Sequence, residues 1–361
     1  MTRTILGKTP LKGRGSLSNP AGRFDHTGIE AVDDGWVQEE APESVATSVQ
    51  ADRAKGVIST NDSPDIGFEQ SINPYRGCEH GCIYCYARPS HAYMGLSPGL
   101  DFETKLFYKH DAAKVLEQEL SHPRYVCKPI MLGANTDPYQ PIERRLQVTR
   151  SILTVLAKCR HPVSIVTKGV LVARDVDLLA QLASENLTSV VVSLTTLDAE
   201  VKRTLEPRAA SPQARLKVIR QLVAAGVPTG VLVAPVVPAI TDHEMERILE
   251  AAKEAGASAA SYVLLRLPYE VKDLFREWLA EHYPQRASHV MSLVRDARGG
   301  RDNDPNFGTR MRGTGAYAEL LRTRFKVATR RLGLDSPRNV ALNRALFRPP
   351  GLAGAQLQLE L

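Results

Sequence analysis

Residues 73–89, with the sequence NPYRGCEHGCIYCYARP, decide how the rest of the chain is interpreted. They contain three cysteines, Cys78, Cys82 and Cys85, in the spacing C-x3-C-x2-C. Three thiolates this close together on one loop can bind three irons of a cubane cluster and leave the fourth iron without a protein ligand. Gly77 and Gly81 allow the loop to bend tightly around a bulky inorganic core. The stretch therefore predicts an iron–sulfur site with one open coordination position.

A structural zinc site is the alternative for the same cysteines. Zinc prefers four ligands, usually supplied by C-x2-C pairs, and the fourth could be His80, Cys127 or Cys159. Such a protein would be a zinc-stabilised nucleic-acid-binding module without catalysis. We expect Cys127 and Cys159 to be small buried hydrophobic residues instead. Five cysteines in 361 residues are too few for a disulfide scaffold, and their clustering indicates a metal site in a reducing compartment.

The segment that follows the loop alternates short apolar strands with amphipathic helices. Residues 163–167 (VSIVT) and 188–195 (TSVVVSLT) are typical of strands, whereas residues 143–159 and 212–225 have helical periodicity. About six such β–α units follow one another. Strands that are apolar on both faces are typical of a parallel sheet covered by helices, and right-handed crossovers curl such a sheet. We therefore predict an α/β fold, namely a partial (β/α)6 TIM-like parallel barrel.

The two ends of the chain differ from this central part. Residues 1–65 are rich in Gly, Pro, Ser and charge without a sustained period, which predicts an extended, loosely structured arm. The barrel is expected over residues 66–284. Residues 285–361 carry 14 Lys and Arg against 6 Asp and Glu, within a formal net charge of +6 for the chain. This basic C-terminal extension is compatible with nucleic acid as a partner and equally with an ordinary solvated face.

The composition excludes several classes of protein. Hydrophobic residues make up 43% and charged residues 24% of the chain, which is typical of globular proteins. No apolar run approaches the ~20 residues that cross a bilayer. The first residues, MTRTILGKTPLKGRG, lack the apolar core of a signal peptide. We therefore expect a cytoplasmic protein without a membrane partner.

The cysteine spacing, with Tyr84 directly before the last cysteine, resembles the signature of the radical S-adenosylmethionine (SAM) superfamily. The longer run NPYRGCEHGCIYCYARPSHAYMG is similar to the subgroup of spore photoproduct lyase and its DNA repair photolyase-like relatives. The resemblance covers residues 71–281. It implies a 4Fe–4S cluster on Cys78, Cys82 and Cys85, SAM on the open iron, and a reductant such as flavodoxin or ferredoxin. Reductive cleavage of SAM would then give a 5′-deoxyadenosyl radical that abstracts hydrogen from a substrate.

Polar residues follow the strand predicted at residues 129–133, where a barrel places its site. These residues are Asn135, Thr136 and Asp137, in the run LGANTDPYQPIE. Asp137 matches the aspartate of a Ser-Asp pair in the lyase, and we expect it to accept a hydrogen bond from the SAM amino group. The alternative is a simple turn, because Asn-Thr-Asp-Pro is favourable turn chemistry.

Four more residues complete the candidate SAM pocket, each with a structural alternative. Lys168 follows the strand SIVT and could pair with the SAM carboxylate, or could be a solvated loop lysine. Ser193 could hydrogen-bond the ribose, or be satisfied by the backbone of the core. By the resemblance, Tyr84 would lie near the adenine, unless it only shields the cluster. Glu206 could contact SAM or the substrate, or form a local ion pair.

The resemblance to the lyase is incomplete at one position. The cysteine by which the lyase returns hydrogen to its substrate corresponds to Ala134 here, three residues before Asp137. We therefore do not expect the same repair reaction. The sequence leaves the substrate open between a nucleic acid on the one hand and a peptide or small molecule on the other.

Overall fold

The computed structural model describes residues 11–25, 44–335 and 341–351. The other parts of the predicted arm and of the predicted C-terminal extension lie outside the described residues. Within the described ranges there are ten strands: β1 Ser48–Asp52, β2 Ile58–Thr60, β3 Gln70–Ile72, β4 Tyr75–Arg76, β5 Lys105–Lys109, β6 Ile130–Leu132, β7 Val163–Thr167, β8 Thr188–Ser193, β9 Thr229–Val236 and β10 Ala259–Leu264.

Seven of these strands form the main sheet, in the order β10-β9-β8-β7-β6-β3-β2. Neighbours from β3 to β10 pair in parallel, and β2 pairs with β3 in the antiparallel direction. The predicted α/β fold with a parallel sheet is therefore confirmed. Among the described residues β2 and β10 are the two edges of this sheet, so no strand pairing closes it. A second sheet has the order β1-β5-β4.

The described ranges contain eleven α-helices: α1 Leu100–Thr104, α2 Ala112–Leu120, α3 Glu143–Leu146, α4 Val148–Lys158, α5 Val176–Ala183, α6 Ala199–Leu205, α7 Pro212–Ala224, α8 Met245–Glu254, α9 Val271–His282, α10 Ala287–Asp296 and α11 Gly315–Leu332. Short 3-10 turns span Arg88–Met94, Val170–Asp175 and Asp242–Glu244. The helix predicted over residues 143–159 is two helices, because Gln147 adopts a left-handed conformation with φ of 51°.

The core lies between the main sheet and the helices that connect its strands. Seven of the eight residues of β9 are buried, as expected for a central parallel strand. Helices such as α4 and α8 turn one apolar side towards the sheet, with Ile152 and Ile248 fully buried. Burial of each such side chain stabilises the fold by about 1.5–3 kcal/mol. This core sets the positions of the loops that leave the carboxyl ends of the strands.

The described part of the arm is more ordered than the sequence predicted. β1 pairs in parallel with β5, and β2 extends the main sheet. Residues 11–25 pack on the cysteine loop, with Arg14, Ser16 and Leu17 buried. These residues of the predicted arm are therefore packed on the main domain. Periodicity could not reveal this packing, because it uses polar side chains and backbone groups that pair with remote segments. The domain boundaries at residues 65 and 284 stay a prediction.

The cationic helix of the C-terminal extension is docked against an acidic neighbour. On α11, Arg324 pairs with Glu246, and Arg331 pairs with Glu250, both on α8. Tyr317 of α11 donates a 2.8 Å hydrogen bond to Asp242. Much of the positive charge counted in the sequence is therefore neutralised within the fold. Among the helices of the described residues, none has both the length and the apolar character that crossing a membrane requires.

Candidate functional site

The cysteine loop begins directly after β4 and crosses the carboxyl edge of the main sheet. Gly77 has a φ of 76°, and a side chain there would collide with Leu106, His91 and the Phe102 backbone. The Cys78 amide donates a 2.9 Å hydrogen bond to the Phe102 carbonyl. Further along, Ile83 N donates to Leu205 O, at the end of α6. The loop that follows β3 is thus tied to the segment that follows β8.

The structure brings the three cysteines together, as their spacing predicted. Cys78 and Cys82 are buried, and half-buried Cys85 packs against the apolar groups around each of them. Burial raises the pKa of all three thiols, that of Cys82 to about 12, and neighbouring thiols add to the effect for Cys78 and Cys82. Iron binding would reverse this, because metal binding releases thiol protons. The residues therefore fit a cluster in which three irons each take one thiolate and the fourth has no protein ligand.

The zinc alternative gains no support from the geometry. Within the part of the chain that is described, no three His, Cys, Asp or Glu side chains converge as around a single ion. His80 faces Asp137 instead, with 3.4 Å between Nδ1 and Oδ2. Cys127 and Cys159 precede β6 and β7, at the amino edge of the sheet, whereas the loop crosses the carboxyl edge. Cys159 is buried as expected, and Cys127 is half-buried.

A buried ion pair that the sequence did not reveal holds the loop backbone. Arg88 and Glu103 pair with both side chains fully buried. Arg88 also donates to the carbonyl oxygens of Gly81 and Cys82, at 3.2 and 2.9 Å. A solvated arginine next to the motif would look the same in sequence, so no local signal identifies this role. The pair fixes the path of the backbone at the second cysteine, Cys82.

Residues 11–25 lie across the same loop and form a strap over it. The amides of Gly15 and Ser16 donate to the two carboxylate oxygens of Glu103, at 3.0 and 2.9 Å. Arg14 donates to the Glu103 carbonyl at 3.0 Å. Besides Arg88, the donors to the Glu103 carboxylate among the described residues come from the strap. The strap and the cysteine loop share one buried carboxylate.

Asp137 lies beside the cysteine loop, with its oxygens already engaged. Oδ1 accepts from Thr167 Oγ1 at 2.6 Å and from the Tyr139 amide at 2.8 Å. Oδ2 accepts from the Lys168 amide at 2.7 Å and faces His80. Burial would raise the pKa of Asp137, but His80 and these donors outweigh it and lower the pKa to about 2. The carboxylate therefore ties the loop after β6 to the end of β7.

Asn135 and Thr136 adopt the turn that the sequence offered as their alternative role. Asn73 accepts hydrogen bonds from both of their amides, at 2.8 and 3.4 Å. The buried Thr136 hydroxyl donates to Tyr75 O at 2.8 Å. The two residues thus link the end of β6 to the approach of the cysteine loop. Asn73 was not singled out in the sequence, although it opens the NPYRGC run.

Lys168 projects from the end of β7 towards the cysteine loop. Its ammonium lies 5.8 Å from the centre of the Tyr84 ring. It is near enough to Cys82, Cys85 and Glu206 to affect the pKa of each. No hydrogen-bond acceptor contacts the ammonium among the described residues, so it is free to pair with a ligand.

Glu206 forms the buried ion pair that was one of its two alternatives. It pairs with Arg215, and both side chains are out of contact with water. The Tyr84 hydroxyl donates to Glu206, and Thr195 Oγ1 donates to it at 2.6 Å. Burial would raise the pKa of Glu206, but Arg215 and Lys168 lower it to about 2. This anionic carboxylate holds Tyr84 next to Lys168.

Ser193 and Ala134 occupy contrasting places at the strand ends. Ser193 is buried and donates to Ala234 O at 3.2 Å, which is the backbone-satisfied alternative. Ala134 lies at the open side of the site, where its carbonyl accepts a hydrogen bond from the Tyr86 hydroxyl. Ala134, which the sequence resemblance aligned with the lyase's hydrogen-donating cysteine, thus lies next to the cysteine loop.

A cleft of about 360 Å³ opens beside the cysteine loop. It is lined by loops that follow β3, β6, β7 and β8, with His80, Arg144, Gly169 and Arg208 among its walls. Arg208 is ion-paired with Glu79 at 3.1 Å, so part of the positive charge is compensated. The cleft gives a small ligand access to the edge of the sheet where the strand-end residues meet.

Comparison with known proteins adds a family and a fold. A family model described as the Radical SAM superfamily matches residues 72–252. An uncharacterized protein of Mycobacterium tuberculosis is 40% identical over 232 residues, which are 64% of this chain and 68% of that protein. An uncharacterized protein of Methanocaldococcus jannaschii is 27% identical over 238 residues, covering 64% of this chain and 83% of the other.

Solved structures of spore photoproduct lyase have a similar fold. The lyase complexed with dinucleoside spore photoproduct superposes with a TM-score of 0.55 and 16% identity, covering 79% of this chain and 78% of the lyase. A variant of the lyase with bound AdoMet and the same dinucleoside gives a TM-score of 0.55 and 17% identity, with the same coverage. At this level of identity the likeness concerns the fold.

Proposed function

Because the chain belongs to the radical SAM superfamily, as its cysteine loop predicted, we propose that Cys78, Cys82 and Cys85 hold a 4Fe–4S cluster with SAM beside it. The chain is an enzyme of the radical SAM type, and its superfamily uses SAM and an iron–sulfur cluster. Together these cofactors supply reductive cleavage of SAM and a 5′-deoxyadenosyl radical for hydrogen abstraction. The cluster type, the ligands and the substrate are parts of the proposal.

The protein's own contribution is to hold and shield the site. Arg88 and Glu103 fix the loop backbone, and Tyr84 is held by Glu206 behind Cys85. Lys168 would pair with the SAM carboxylate, since its ammonium lies near the thiols and has no hydrogen-bond acceptor among the described residues. Buried charges arranged before the ligand arrives need little reorganisation during the reaction.

The remaining SAM contacts are proposed with amended roles. Asp137 orients Lys168 through its backbone amide, and the SAM amino group would share Oδ2 with His80. Asn135 and Thr136 shape the strand end through Asn73. Ser193 already donates to a carbonyl, so its hydroxyl would contact the ribose only as an acceptor. Tyr84 would lie near the adenine of SAM.

The finer architecture and setting belong to the same proposal. We propose that the parallel sheet curves into a partial barrel over residues 66–284. Support comes from the cysteine loop after β3, which contacts Leu205 after β8 and, through Tyr86, Arg266 after β10. A small acidic reductant such as flavodoxin or ferredoxin would supply the electron. Clustered thiol ligands suit a cytoplasmic location, which we propose for the enzyme.

A nucleic acid is the substrate class that we propose. The lyase of similar fold was solved with a dinucleoside spore photoproduct, which supports this choice. The positive charge of α11 adds little support, because Arg324 and Arg331 are paired with α8. Ala134 cannot donate hydrogen as a thiol does, so the reaction would end differently from that of the lyase.

One observation carries the proposal: the thiols of buried Cys78 and Cys82 and of half-buried Cys85 lie together at the carboxyl edge of the sheet. Lys168 lies beside them, and its ammonium has no acceptor among the described residues. The test is to purify the protein without oxygen, measure iron and acid-labile sulfide, and add SAM with dithionite. We expect four irons and four sulfides per chain and formation of 5′-deoxyadenosine. A Cys82→Ala variant should lose both, whereas Cys159→Ala should retain both because that thiol lies at the opposite edge.

Two results would contradict the proposal. One zinc per chain, with no iron after reconstitution, would favour the zinc-stabilised module. A Cys82→Ala variant that still produces 5′-deoxyadenosine would show that the ligands lie elsewhere. The thermal midpoint of each variant, measured on the same samples, separates the loss of the cluster from a failure to fold.

A further inference from the structure

Arg266 differs from the other inward-facing arginines of this protein. In the described parts of the chain, every other buried or half-buried arginine donates to at least one oxygen. Within the described residues, the guanidinium of Arg266 has only the Met311 sulfur as a partner, at 3.6 Å from Nη1. Its Nε is buried and has no hydrogen-bond partner in the same ranges. A guanidinium has five donors, and leaving them unsatisfied away from water costs free energy.

Among the described residues, no nearby carboxylate is available to Arg266. Asp65 lies in the same region, but Arg310 occupies both of its oxygens, at 2.6 and 2.8 Å. Asp65 also accepts from the Gly308 amide at 3.3 Å. Arg310 itself adds a second positive charge, and burial together with Arg310 lowers the pKa of Arg266. Arg310 and Asp65 offset each other, so in the described ranges the charge of Arg266 is left without a carboxylate partner.

The position of Arg266 in the fold is that of a ligand-binding residue. It follows the last residue of β10 by two positions, at the carboxyl edge where parallel sheets bind ligands. The backbone on both sides is fixed: Leu265 N donates to Val236 O at 3.0 Å, and Leu267 N donates to Asn303 Oδ1 at 3.3 Å. An arginine on anchored backbone presents its donors in one place, as a binding site requires.

Arg266 also faces the cysteine loop. Its guanidinium carbon lies 5.7 Å from the centre of the Tyr86 ring, and Tyr86 directly follows Cys85. Tyr86 is 48% exposed, whereas Tyr84, on the other side of Cys85, is only 7% exposed and faces Lys168. Two unpaired cations thus flank Cys85: Lys168 on the enclosed side and Arg266 on the open side.

We propose that Arg266 is a substrate-binding residue that takes an oxyanion, a phosphate or a carboxylate of the substrate, beside the exposed ring of Tyr86. The two-pronged guanidinium matches the paired oxygens of such a group. The enclosed cation, Lys168, is left for SAM, so the two ligands do not compete for one charge. The inference rests on the proposed function and lies outside the segment, residues 72–252, that the family model matches.

The test uses the cluster-loaded full chain and radiolabelled inorganic phosphate in equilibrium dialysis at low ionic strength. We expect one saturable site, a loss of affinity of about tenfold or more in Arg266→Gln, equivalent to about 1.4 kcal/mol, and an intermediate loss in Arg266→Lys. Arg322→Gln is the control, because Arg322 is an exposed arginine on α11 paired with Glu319. It should bind phosphate as the unaltered protein does. Acetate is the second ligand, and its displacement of phosphate would identify a carboxylate site.

Three outcomes would overturn the inference. The first is the absence of a saturable phosphate or acetate site, and the second is binding of phosphate by Arg266→Gln that equals binding by the unaltered protein. The third is displacement of the phosphate by SAM, which would assign Arg266 to SAM rather than to the substrate. Iron content and 5′-deoxyadenosine formation by the unaltered protein are measured in parallel. Failure of those two assays would reject the proposed function, whereas failure of the dialysis alone would reject only the role of Arg266.

Discussion

Gly15 of the strap lies so close to Gly81 of the cysteine loop that a side chain on Gly15 would overlap the Gly81 carbonyl oxygen. Gly15 also donates its amide to Glu103, the carboxylate that pairs with Arg88. The strap therefore contacts the loop backbone directly and through a shared buried acid. Residues far outside the family match thus complete the wall around the cysteines.

We predict that Gly15→Val lifts the strap from the loop. The added methyl groups cannot be accommodated, because the neighbouring atom is backbone rather than a flexible side chain. Overpacking of this kind costs about 1–3 kcal/mol of folding stability. We also expect the cluster-loaded variant to lose its visible absorbance faster in air, since the strap covers the loop that holds the cysteines. Urea unfolding and the time course of bleaching measure the two effects.

The matched control for this substitution is Gly351→Val. A side chain added at Gly351 would meet no atom within 4 Å, and the backbone there is not left-handed. Both the unfolding midpoint and the bleaching rate should stay unchanged. Equal bleaching rates in Gly15→Val and the unaltered protein would mean that the strap does not protect the site.

A second prediction concerns the ion pair between Glu206 and Arg215. Both side chains are buried, and Glu206 also accepts from Tyr84 and Thr195. Arg215→Met would leave a buried carboxylate without a cation, which costs about 3–5 kcal/mol. The double variant with Glu206→Gln should recover part of this loss, because it removes the stranded charge. A double-mutant cycle in urea measures the coupling, and additive losses would show that the pair is not coupled.

The sequence predicted the elements that obey local rules. The β7 strand at residues 163–167 has the predicted bounds, because a regular apolar period defines it. The closeness of the three cysteines followed from their spacing. For Ser193, the sequence offered the ribose contact and the backbone-satisfied alternative without deciding between them.

The contacts that the sequence missed join residues remote in the chain. Arg88 meets Glu103, which also holds Gly15, in a dry interior where each charge needs its partner. No periodicity marks such residues, because a charged side chain is usually exposed. The strand β5 was missed for a related reason: its residues, KLFYK, begin and end with lysine and are only partly buried.

The last prediction concerns the dependence of stability on pH through His161. Its side chain is fully buried, and burial lowers its pKa to about 4. Nδ1 lies 3.0 Å from the Pro162 carbonyl, which can only accept, so Nδ1 carries the proton. Nε2 lies 2.7 Å from the Tyr125 hydroxyl, whose proton is directed at Gln70 Oε1, 2.9 Å away. Protonation would place a positive charge on a ring that is shielded from water, so the folded state favours the neutral ring.

The sign of the effect follows from the two states. An unfolded histidine has a pKa of about 6.5, so between about pH 6.5 and 4 the unfolded chain binds a proton that the folded chain does not. Stability therefore falls as the pH falls, and between about pH 7 and pH 5 His161 should account for a loss of about 2 kcal/mol. In His161→Gln, the free energy of unfolding, measured in urea, should fall by about 2 kcal/mol less over this pH range. Replacing the exposed His110 should leave the slope of unfolding free energy against pH unchanged. A decline in His161→Gln that is as steep as in the unaltered protein would show that the buried imidazole is already charged in the folded protein.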